Sequence, residues 1–251
     1  MGSAGELNWL IVERPQRVRL VVEAFFSIRQ GADALARKWG GRVERFDPKP
    51  PKAAAPVRVS AALEIAHDEN AAPSPDRLII PYGMAFGSGE HPTTLMLLRA
   101  LAARTDLAQA TVLDLGTGSG VLALAARKLG ARQITGSDFD PDSIRTARQN
   151  EALNFYRRSV HWEVGDVRQL RERGSCSLIL ANLFSGILIE AAKRIARALS
   201  ASGELWLSGV LRSQQDEVAT AFRGAGLRSV TTITRGKWVM QQWTKGRAQK
   251  S

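Results

Sequence analysis

Residues 112–120, Val-Leu-Asp-Leu-Gly-Thr-Gly-Ser-Gly, decide the fold of this chain. An apolar run ends in Asp114, and glycine then stands at every second position, Gly116, Gly118 and Gly120. Glycine tolerates dihedral angles that other residues avoid and lets the backbone approach a ligand closely. The pattern predicts a strand that turns sharply into a helix, with a ligand-binding corner between them.

A second acidic residue, Asp138, ends the next apolar run, where a carboxylate can accept hydrogen bonds from both hydroxyls of a ribose. Dinucleotide sites have the spacing G-x-G-x-x-G and hold a pyrophosphate at a helix N-terminus. This chain has D-x-G-x-G-x-G instead. The carboxylate of Asp114 would repel a pyrophosphate, but it suits a ligand that carries a sulfonium and an ammonium. These residues therefore favour S-adenosylmethionine over a nicotinamide dinucleotide.

The composition is that of an ordinary globular protein: 251 residues, 44% apolar and 24% charged. This length suits one α/β domain with a small extension. No apolar run approaches the roughly 20 residues that cross a bilayer, and the N-terminus does not resemble a secretion signal. The single cysteine, Cys176, can form neither an internal disulfide nor a metal cluster. We therefore expect a cytoplasmic protein with no membrane association and no metal site.

The net charge of +11 is concentrated near the C-terminus, where no acidic residue follows Glu217. Such a segment is either a solvated basic tail or a surface for weak contact with RNA. No aromatic residues alternate with these charges as a stacking platform requires, so charge alone does not establish RNA binding. The basic residues concerned are Arg223, Arg228, Arg235, Lys237, Lys245, Arg247 and Lys250.

A linker is predicted over residues 47–56, which contain four prolines. Residues 1–46 before it are expected to form a small β-α-β piece, with a strand at 9–12, a helix over 17–38 and a strand over 42–46. Residues 57–251 form the main domain, which begins with strands at 57–65 and 78–80.

From residue 92 onward, helices and strands alternate regularly. This alternation predicts an α/β fold in which helices cover both faces of a parallel sheet. A turn signal at Arg235-Gly236 adds a final antiparallel hairpin, as in the Rossmann-like sheet of class I methyltransferases. Helices are predicted over 93–103, 119–129, 141–153, 184–199 and 213–225. The seven predicted strands cover 111–115, 132–137, 159–164, 177–182, 203–209, 227–234 and 237–243.

The segment 83–94, Gly-Met-Ala-Phe-Gly-Ser-Gly-Glu-His-Pro-Thr-Thr, lies just before a predicted helix. A flexible loop here could close over the ligand, which places Phe86 and Thr94 among the candidate cofactor-binding residues. The alternative is a plain turn with a threonine helix cap. His91 is either a base or a structural residue.

Two further polar residues end predicted strands. Asp166 is expected beside an adenine, or else as the cap of the next turn. Asn182 is expected to face a transferred methyl group, where its neutral amide could orient an amine nucleophile without taking its proton. The alternative is an asparagine that closes a strand into a turn. Enzymes that methylate the exocyclic amines of nucleic-acid bases carry Asn or Asp followed by Pro-Pro and an aromatic residue. Leu183 and Phe184 follow Asn182 here, which argues against DNA or RNA base amines as the acceptor.

Together these segments resemble the PrmA family, the methyltransferases of large-subunit ribosomal protein L-eleven, from about Val57 to Lys245. The most specific part is the loop 83–94; the others are 113–120, 136–141, 181–183, 207–211 and 236–238. The resemblance implies that Thr94, Gly116, Asp138 and Asn182 bind S-adenosylmethionine, and we add Asp114, Gly118 and Asp166 from the patterns above. It also implies methyl transfer to protein amines, namely lysine side chains and an N-terminal amine, with a ribosomal protein as partner.

Several alternatives remain open at this point. Family members carry an N-terminal substrate-recognition domain, and residues 1–46 look shorter and different. The acceptor could therefore be another protein lysine, as on an electron-transfer flavoprotein, or a small-molecule amine. A non-catalytic S-adenosylmethionine-binding module that docks on RNA, and a nicotinamide dehydrogenase, are the alternatives from other classes.

Overall fold

The computed structural model describes residues 8–12, 21–25, 55–82, 87–171 and 174–245. The chain divides into two compact units, Met1–Lys52 and Ala53–Ser251. The boundary between these units falls within the proline-rich segment 47–56.

The first unit contains strands β1 (Asn8–Val12) and β2 (Val21–Phe25), which pair antiparallel. The strand predicted at 9–12 is confirmed. The helix predicted over 17–38 is wrong at residues 21–25, because the β-branched pair Val21 and Val22 favours a strand and β1 offers it a partner. The rest of that helix and the strand predicted over 42–46 lie outside the described residues.

The second unit begins with a small sheet of β3 (Val57–Ser60), β4 (Leu63–Ala66) and β5 (Arg77–Ile79). Strand β4 lies in the middle, antiparallel to β3 and parallel to β5. The single strand predicted over 57–65 is wrong, because the chain turns between β3 and β4. The Ala62 N–H donates to Ser60 Oγ at 3.1 Å in this turn.

The main sheet has seven strands, in the spatial order β11-β12-β10-β9-β6-β7-β8. Strand β12 is antiparallel to both of its neighbours, and the other pairs are parallel. The predicted mostly parallel sheet with a terminal antiparallel hairpin is confirmed. The strands are β6 (Thr111–Leu115), β7 (Gln133–Asp138), β8 (His161–Val164), β9 (Cys176–Asn182), β10 (Leu199–Leu211), β11 (Leu227–Arg235) and β12 (Trp238–Lys245).

Helices cover both faces of this sheet, as predicted. The strands alternate between two apolar clusters: Val112 and Leu178 face one cluster, and Leu113 and Ile179 face the other. Helices α1 (Pro92–Ala102), α2 (Val121–Lys128) and α3 (Pro141–Asn154) pack on the first face, and α4 (Ser185–Ala198) and α5 (Gln215–Gly224) pack on the second. None of the described helices is both long enough and apolar enough to cross a membrane.

The basic C-terminal segment is folded as far as Lys245. Arg223 lies in α5, Arg228 and Arg235 lie at the two ends of edge strand β11, and the Lys245 ammonium donates to the carbonyl oxygen of Leu199. These residues are therefore not an unstructured tail, but the side chains of Arg223, Arg228 and Arg235 are exposed to solvent, as a solvated basic segment requires. Arg247 and Lys250 lie outside the described residues.

Candidate active site

The carboxyl ends of β6, β7 and β9 meet at one edge of the main sheet, where a cavity of about 450 Å³ opens. This volume is typical of a site for a small molecule or cofactor. Among the predicted site residues, those that line it are Gly116, Gly118, Asp138, Asp166 and Asn182. The structure thus brings together residues that are far apart in the sequence, as expected for an open α/β sheet.

The glycine-rich corner after β6 adopts a conformation that requires glycine. Gly116 and Gly118 have φ angles of +68° and +53°, in the left-handed region. The N–H groups of Gly116 and Thr117 both donate to the carbonyl oxygen of Ser137, at 2.8 and 3.0 Å. These bonds fasten the corner to the end of β7, so that the backbone of the corner forms one wall of the cavity.

Asp138 ends β7 with its carboxylate held against the corner. Its Oδ2 accepts a hydrogen bond from the Gly118 N–H at 2.9 Å, and its Oδ1 accepts one from the Asp140 N–H at 3.1 Å. The residue is 7% exposed and lines the cavity. Each oxygen keeps a further lone pair, so the fixed carboxylate can accept hydrogen bonds from vicinal hydroxyls of a ligand.

Asn182 ends β9 beside the corner, and its amide is oriented by Thr94. The Asn182 Nδ2 donates to Thr94 Oγ1 at 3.0 Å, across 88 positions of sequence. Among the described residues, the buried Asn182 Oδ1 has no hydrogen-bond partner. A buried oxygen without a partner is costly unless a ligand supplies a donor, so this atom is suited to accept a hydrogen bond from an amine or ammonium group.

Thr94 itself is 1% exposed and does not line the cavity, whereas its neighbour Thr93 does. The structure thus shows Thr94 as a positioning residue for Asn182. Its contact with a cofactor, and that of Phe86, stay predictions. Phe86 and residues 83–85 lie outside the described residues.

Asp114 lies beneath the corner rather than on the wall of the cavity. It is fully buried, and its Oδ2 accepts hydrogen bonds from Thr117 Oγ1 at 2.6 Å and from the Ala123 N–H at 3.2 Å. Burial raises the pKa of this carboxyl to about 7, despite the two hydrogen bonds. The side chain points into the turn, where it joins the corner to the start of α2, and its expected contact with a ligand stays a prediction.

Asp166 caps a short 3-10 helix, Val167–Gln169, as the alternative interpretation predicts. Its Oδ1 accepts from the Arg168 N–H at 2.8 Å, and its Oδ2 lies 2.8 Å from the guanidinium Nη2 of Arg168. Hydrogen bonds from Arg168 hold the pKa of Asp166 below its usual value. Both residues line the cavity, so an adenine at this end would meet an ion pair rather than an isolated carboxylate.

His91 caps the start of α1 and also lines the cavity. Its Nδ1 accepts a hydrogen bond from the Thr93 N–H at 3.4 Å, and its ring meets the ring of Trp238 edge-on at 5.0 Å. Burial, together with the positive charge of Lys237, lowers the pKa of His91. The imidazole is therefore kept neutral, as an acceptor at the helix N-terminus.

Sequence reasoning did not place several apolar residues at the site. Phe139 and Phe184 each follow a polar residue that ends a strand, and both line the cavity although they are 72% and 76% exposed. Ile187 and Trp238 line the same end as Phe184. Phe139 directly follows Asp138 and Phe184 stands two positions after Asn182, and this closeness to the strand ends is the signal that could have identified the two phenylalanines.

These features fit S-adenosylmethionine. The fixed carboxylate of Asp138 suits the ribose hydroxyls, and Phe139 offers an aromatic face for the adenine. The buried Asn182 Oδ1 offers an acceptor to the cationic part of the ligand, and the positive-φ backbone of the corner permits close approach.

Comparisons with known proteins agree with this fit. The sequence model of the family described as Ribosomal protein L11 methyltransferase (PrmA) matches residues 49–246. The ribosomal protein L11 methyltransferase of Chromohalobacter salexigens is 36% identical over 187 residues, which is 74% of this chain and 62% of that protein. The corresponding protein of Myxococcus xanthus is 41% identical over 65% of this chain and 55% of its own length. The chain thus spans about 60% of the length of such relatives.

Solved structures give the same result. The crystal structure of the ribosomal protein L11 methylase from Lactobacillus delbrueckii subsp. bulgaricus superimposes with a TM-score of 0.66 and 26% identity, over 76% of this chain and 98% of that one. The magnesium protoporphyrin IX methyltransferase of Synechocystis, solved with bound SAM, shares the fold at a TM-score of 0.52 and 17% identity, over 60% of this chain and 77% of that one. From the match over residues 49–246 and the geometry of the cavity, the chain belongs to the ribosomal protein L11 methyltransferase (PrmA) family, whose cofactor is S-adenosylmethionine.

Proposed function

We propose that this chain transfers methyl groups from S-adenosylmethionine to protein amines, namely lysine side chains and an N-terminal amine of a ribosomal protein. The observation that carries the proposal is the buried Asn182 Oδ1, which has no hydrogen-bond partner among the described residues and lies at the apolar end of the cavity. Membership of the family supports the same reaction.

The cofactor end of the cavity is the end near β7. Asp138 would hold the ribose hydroxyls, and the backbone of Gly116 and Gly118 would border the rest of the molecule. When bound, S-adenosylmethionine supplies an electrophilic methyl group on a sulfonium, which is a good leaving group. The chain therefore has to place the acceptor amine rather than to activate the methyl group.

The acceptor end is the end near Asn182, and its task is to present a neutral amine. An unperturbed lysine has a pKa near 10.4, so its ammonium must lose a proton before it can attack. Leu183, Phe184 and Ile187 line this end, and such apolar surroundings disfavour the charged form. The Asn182 Oδ1 can accept a hydrogen bond from the amine and direct its lone pair, and the amide does not compete for the proton.

Target recognition is proposed to reside in residues 1–46, joined by the linker 47–56 to the methyltransferase domain 57–251. We also infer a cytoplasmic location, where ribosomal proteins are made. Because the N-terminal segment differs from that of family members, the acceptors to be tested also include another protein lysine and a small-molecule amine.

The test is incubation of the full chain with methyl-labelled S-adenosylmethionine and separated ribosomal proteins, followed by mass spectrometry of the labelled bands. We expect label on lysines or an N-terminus of one ribosomal protein. The Asp138→Ala variant, with weaker cofactor binding, should give much less label when the cofactor is limiting. If a lysate shows label only on other proteins or on small amines, the acceptor belongs to one of these alternative classes.

The proposal of a ribosomal protein acceptor fails if no ribosomal protein is labelled while the cofactor binds. Cofactor binding without turnover on any lysate fraction, together with salt-dependent RNA binding, would identify an RNA-docking module instead. Binding of NADH but not of S-adenosylmethionine would identify a dehydrogenase.

A further inference from the structure

Three basic residues lie close together along the backbone at the corner of the sheet next to the acceptor end of the cavity. We call Arg212, Arg235 and Lys237 the basic rim. The Arg212 N–H donates to the carbonyl oxygen of Lys237 at 2.8 Å, and Arg235 is the register partner of Trp238. All three side chains are exposed.

The basic rim reaches the cavity through Trp238. The Lys237 Nζ lies 5.4 Å from the centroid of the Trp238 ring, and this ring lines the cavity. His91 also contacts the Trp238 ring, and the positive charge of Lys237 helps to lower the pKa of His91. The rim therefore borders the mouth through which an acceptor side chain would reach Asn182.

The charges of the rim are not neutralised within the described part of the chain. Among residues 55–82, 87–171 and 174–245, no carboxylate lies within 4 Å of the three cations. Asp216 and Glu217, at the start of α5, make no such contact. By contrast, Arg168 at the opposite end of the cavity is paired with Asp166 and Glu190. Of these four cations, therefore, only the three at the acceptor end lack a carboxylate partner among the described residues.

We propose that the basic rim docks an acidic segment of the acceptor protein, with carboxylates that flank the target lysine. This inference rests on the proposed function and adds a substrate class to it. Opposite charges at the rim of an interface steer the encounter and select among partners. A peptide fits better than RNA because β11 carries no aromatic residue on which a base could stack, and Trp238 already packs against His91.

The experiment uses the full chain and two fluorescent peptides with the same central lysine, flanked by glutamates in one and by glutamines in the other. Fluorescence anisotropy measures binding in the presence of S-adenosylmethionine. We expect the glutamate peptide to bind about tenfold more tightly at low salt, with most of this preference lost at high salt.

Variants that replace one cation of the basic rim with a neutral residue test which residues bind the glutamate peptide. Arg212→Gln, Arg235→Gln and Lys237→Gln should each weaken binding of the glutamate peptide by about two- to fivefold and leave the glutamine peptide unaffected. Arg228→Gln is the matched control, because Arg228 is an exposed cation on the same edge strand but at its other end, about 23 Å away at 3.3 Å per residue. This variant should bind like the wild type.

Equal binding of the two peptides, or an equal loss in Arg228→Gln, would overturn the proposal. So would an oligonucleotide that binds more tightly than the glutamate peptide and depends on the same three cations. Methyl transfer is measured separately in the same samples. Rim-dependent binding without transfer would leave the docking surface standing and would count only against the proposed function.

Discussion

Leu183 occupies the space that a Cβ atom at Gly116 would need. An ideal Cβ built on Gly116 lies 2.3 Å from Leu183 Cδ2, far inside van der Waals contact. Gly116 belongs to the corner after β6, and Leu183 directly follows Asn182 at the end of β9. The absence of a side chain at Gly116 thus leaves the space that Leu183, the residue next to Asn182, occupies.

Gly116→Ala should therefore weaken both the fold and the site. The left-handed φ alone costs about 1–2 kcal/mol for a residue with a Cβ, and displacement of Leu183 adds to this. Calorimetric titration with S-adenosylmethionine should show at least about tenfold weaker binding, a loss of about 1.4 kcal/mol. Gly174→Ala is the control, because Gly174 has a similar φ of +63° and, among the residues that the structure describes, none lies within 4 Å of its Cβ position. Equal effects of the two variants on binding would show that Leu183 does not matter.

Asp138→Ala should weaken cofactor binding at least tenfold, since hydrogen bonds to a charged group contribute about 1.5–3 kcal/mol each. The variant should also loosen the corner, because the Gly118 N–H loses its acceptor. Asp142→Ala removes a nearby exposed carboxylate on α3 and should bind normally. Calorimetry measures the affinity of both variants for S-adenosylmethionine, and urea unfolding checks that both are folded. Unchanged affinity in a folded Asp138→Ala protein would remove this residue from the site.

Thr94→Val should lower the rate of methyl transfer by releasing the amide of Asn182. The partly buried Asn182 Nδ2 would lose its acceptor, at a cost of about 1 kcal/mol, and the amide would no longer be held in one orientation. Thr94→Ser keeps the hydroxyl and should restore most of the activity. The measurement is kcat and KM for the acceptor under saturating cofactor. A Thr94→Val protein as active as Thr94→Ser would contradict the positioning role.

Asp114 should make stability depend on pH. Its folded pKa of about 7 lies above the unfolded value near 3.9, so the folded state binds the extra proton between these values. Stability should therefore fall as pH rises from about 4 to about 7 and then level off, by a few kcal/mol at most. Asp114→Asn can keep the acceptor for Thr117 and Ala123 but cannot ionise. Urea unfolding across this range should show the advantage of Asp114→Asn growing up to about pH 7, and a constant difference would contradict the shift.

Removal of residues 1–46 should leave S-adenosylmethionine affinity intact and abolish methylation of the native acceptor. The reason is that the proline-rich segment and the unit boundary separate this part from the cavity-bearing domain. Calorimetry and the labelling assay would test the two parts of the prediction. A truncated protein that methylates the native acceptor at the full rate would exclude a recognition role, and one that precipitates would show that these residues support the fold.

The sequence by itself determined the main domain because its signals are local. Continuous apolar runs, the regular alternation of helices and strands and the glycines of 116–120 define strands, helices and the corner without reference to distant residues. The rule that ligands bind at the carboxyl ends of parallel strands then brings Asp138 and Asn182 to one site. Local signals failed at Val21–Phe25, where the pairing with β1 overrides a helical pattern.

Only the tertiary structure decided how the parts of the site are held. Strand β9 lies next to β6 although β7 and β8 intervene in the chain, and this order alone brings Leu183 against Gly116. The hydrogen bond from Asn182 to Thr94, the burial of Asp114 beneath the corner and the contacts of Trp238 with His91 and Lys237 have the same origin. Such contacts depend on strand order and on packing between segments that are remote in sequence. Neither produces a periodic pattern in the sequence from which it could be predicted.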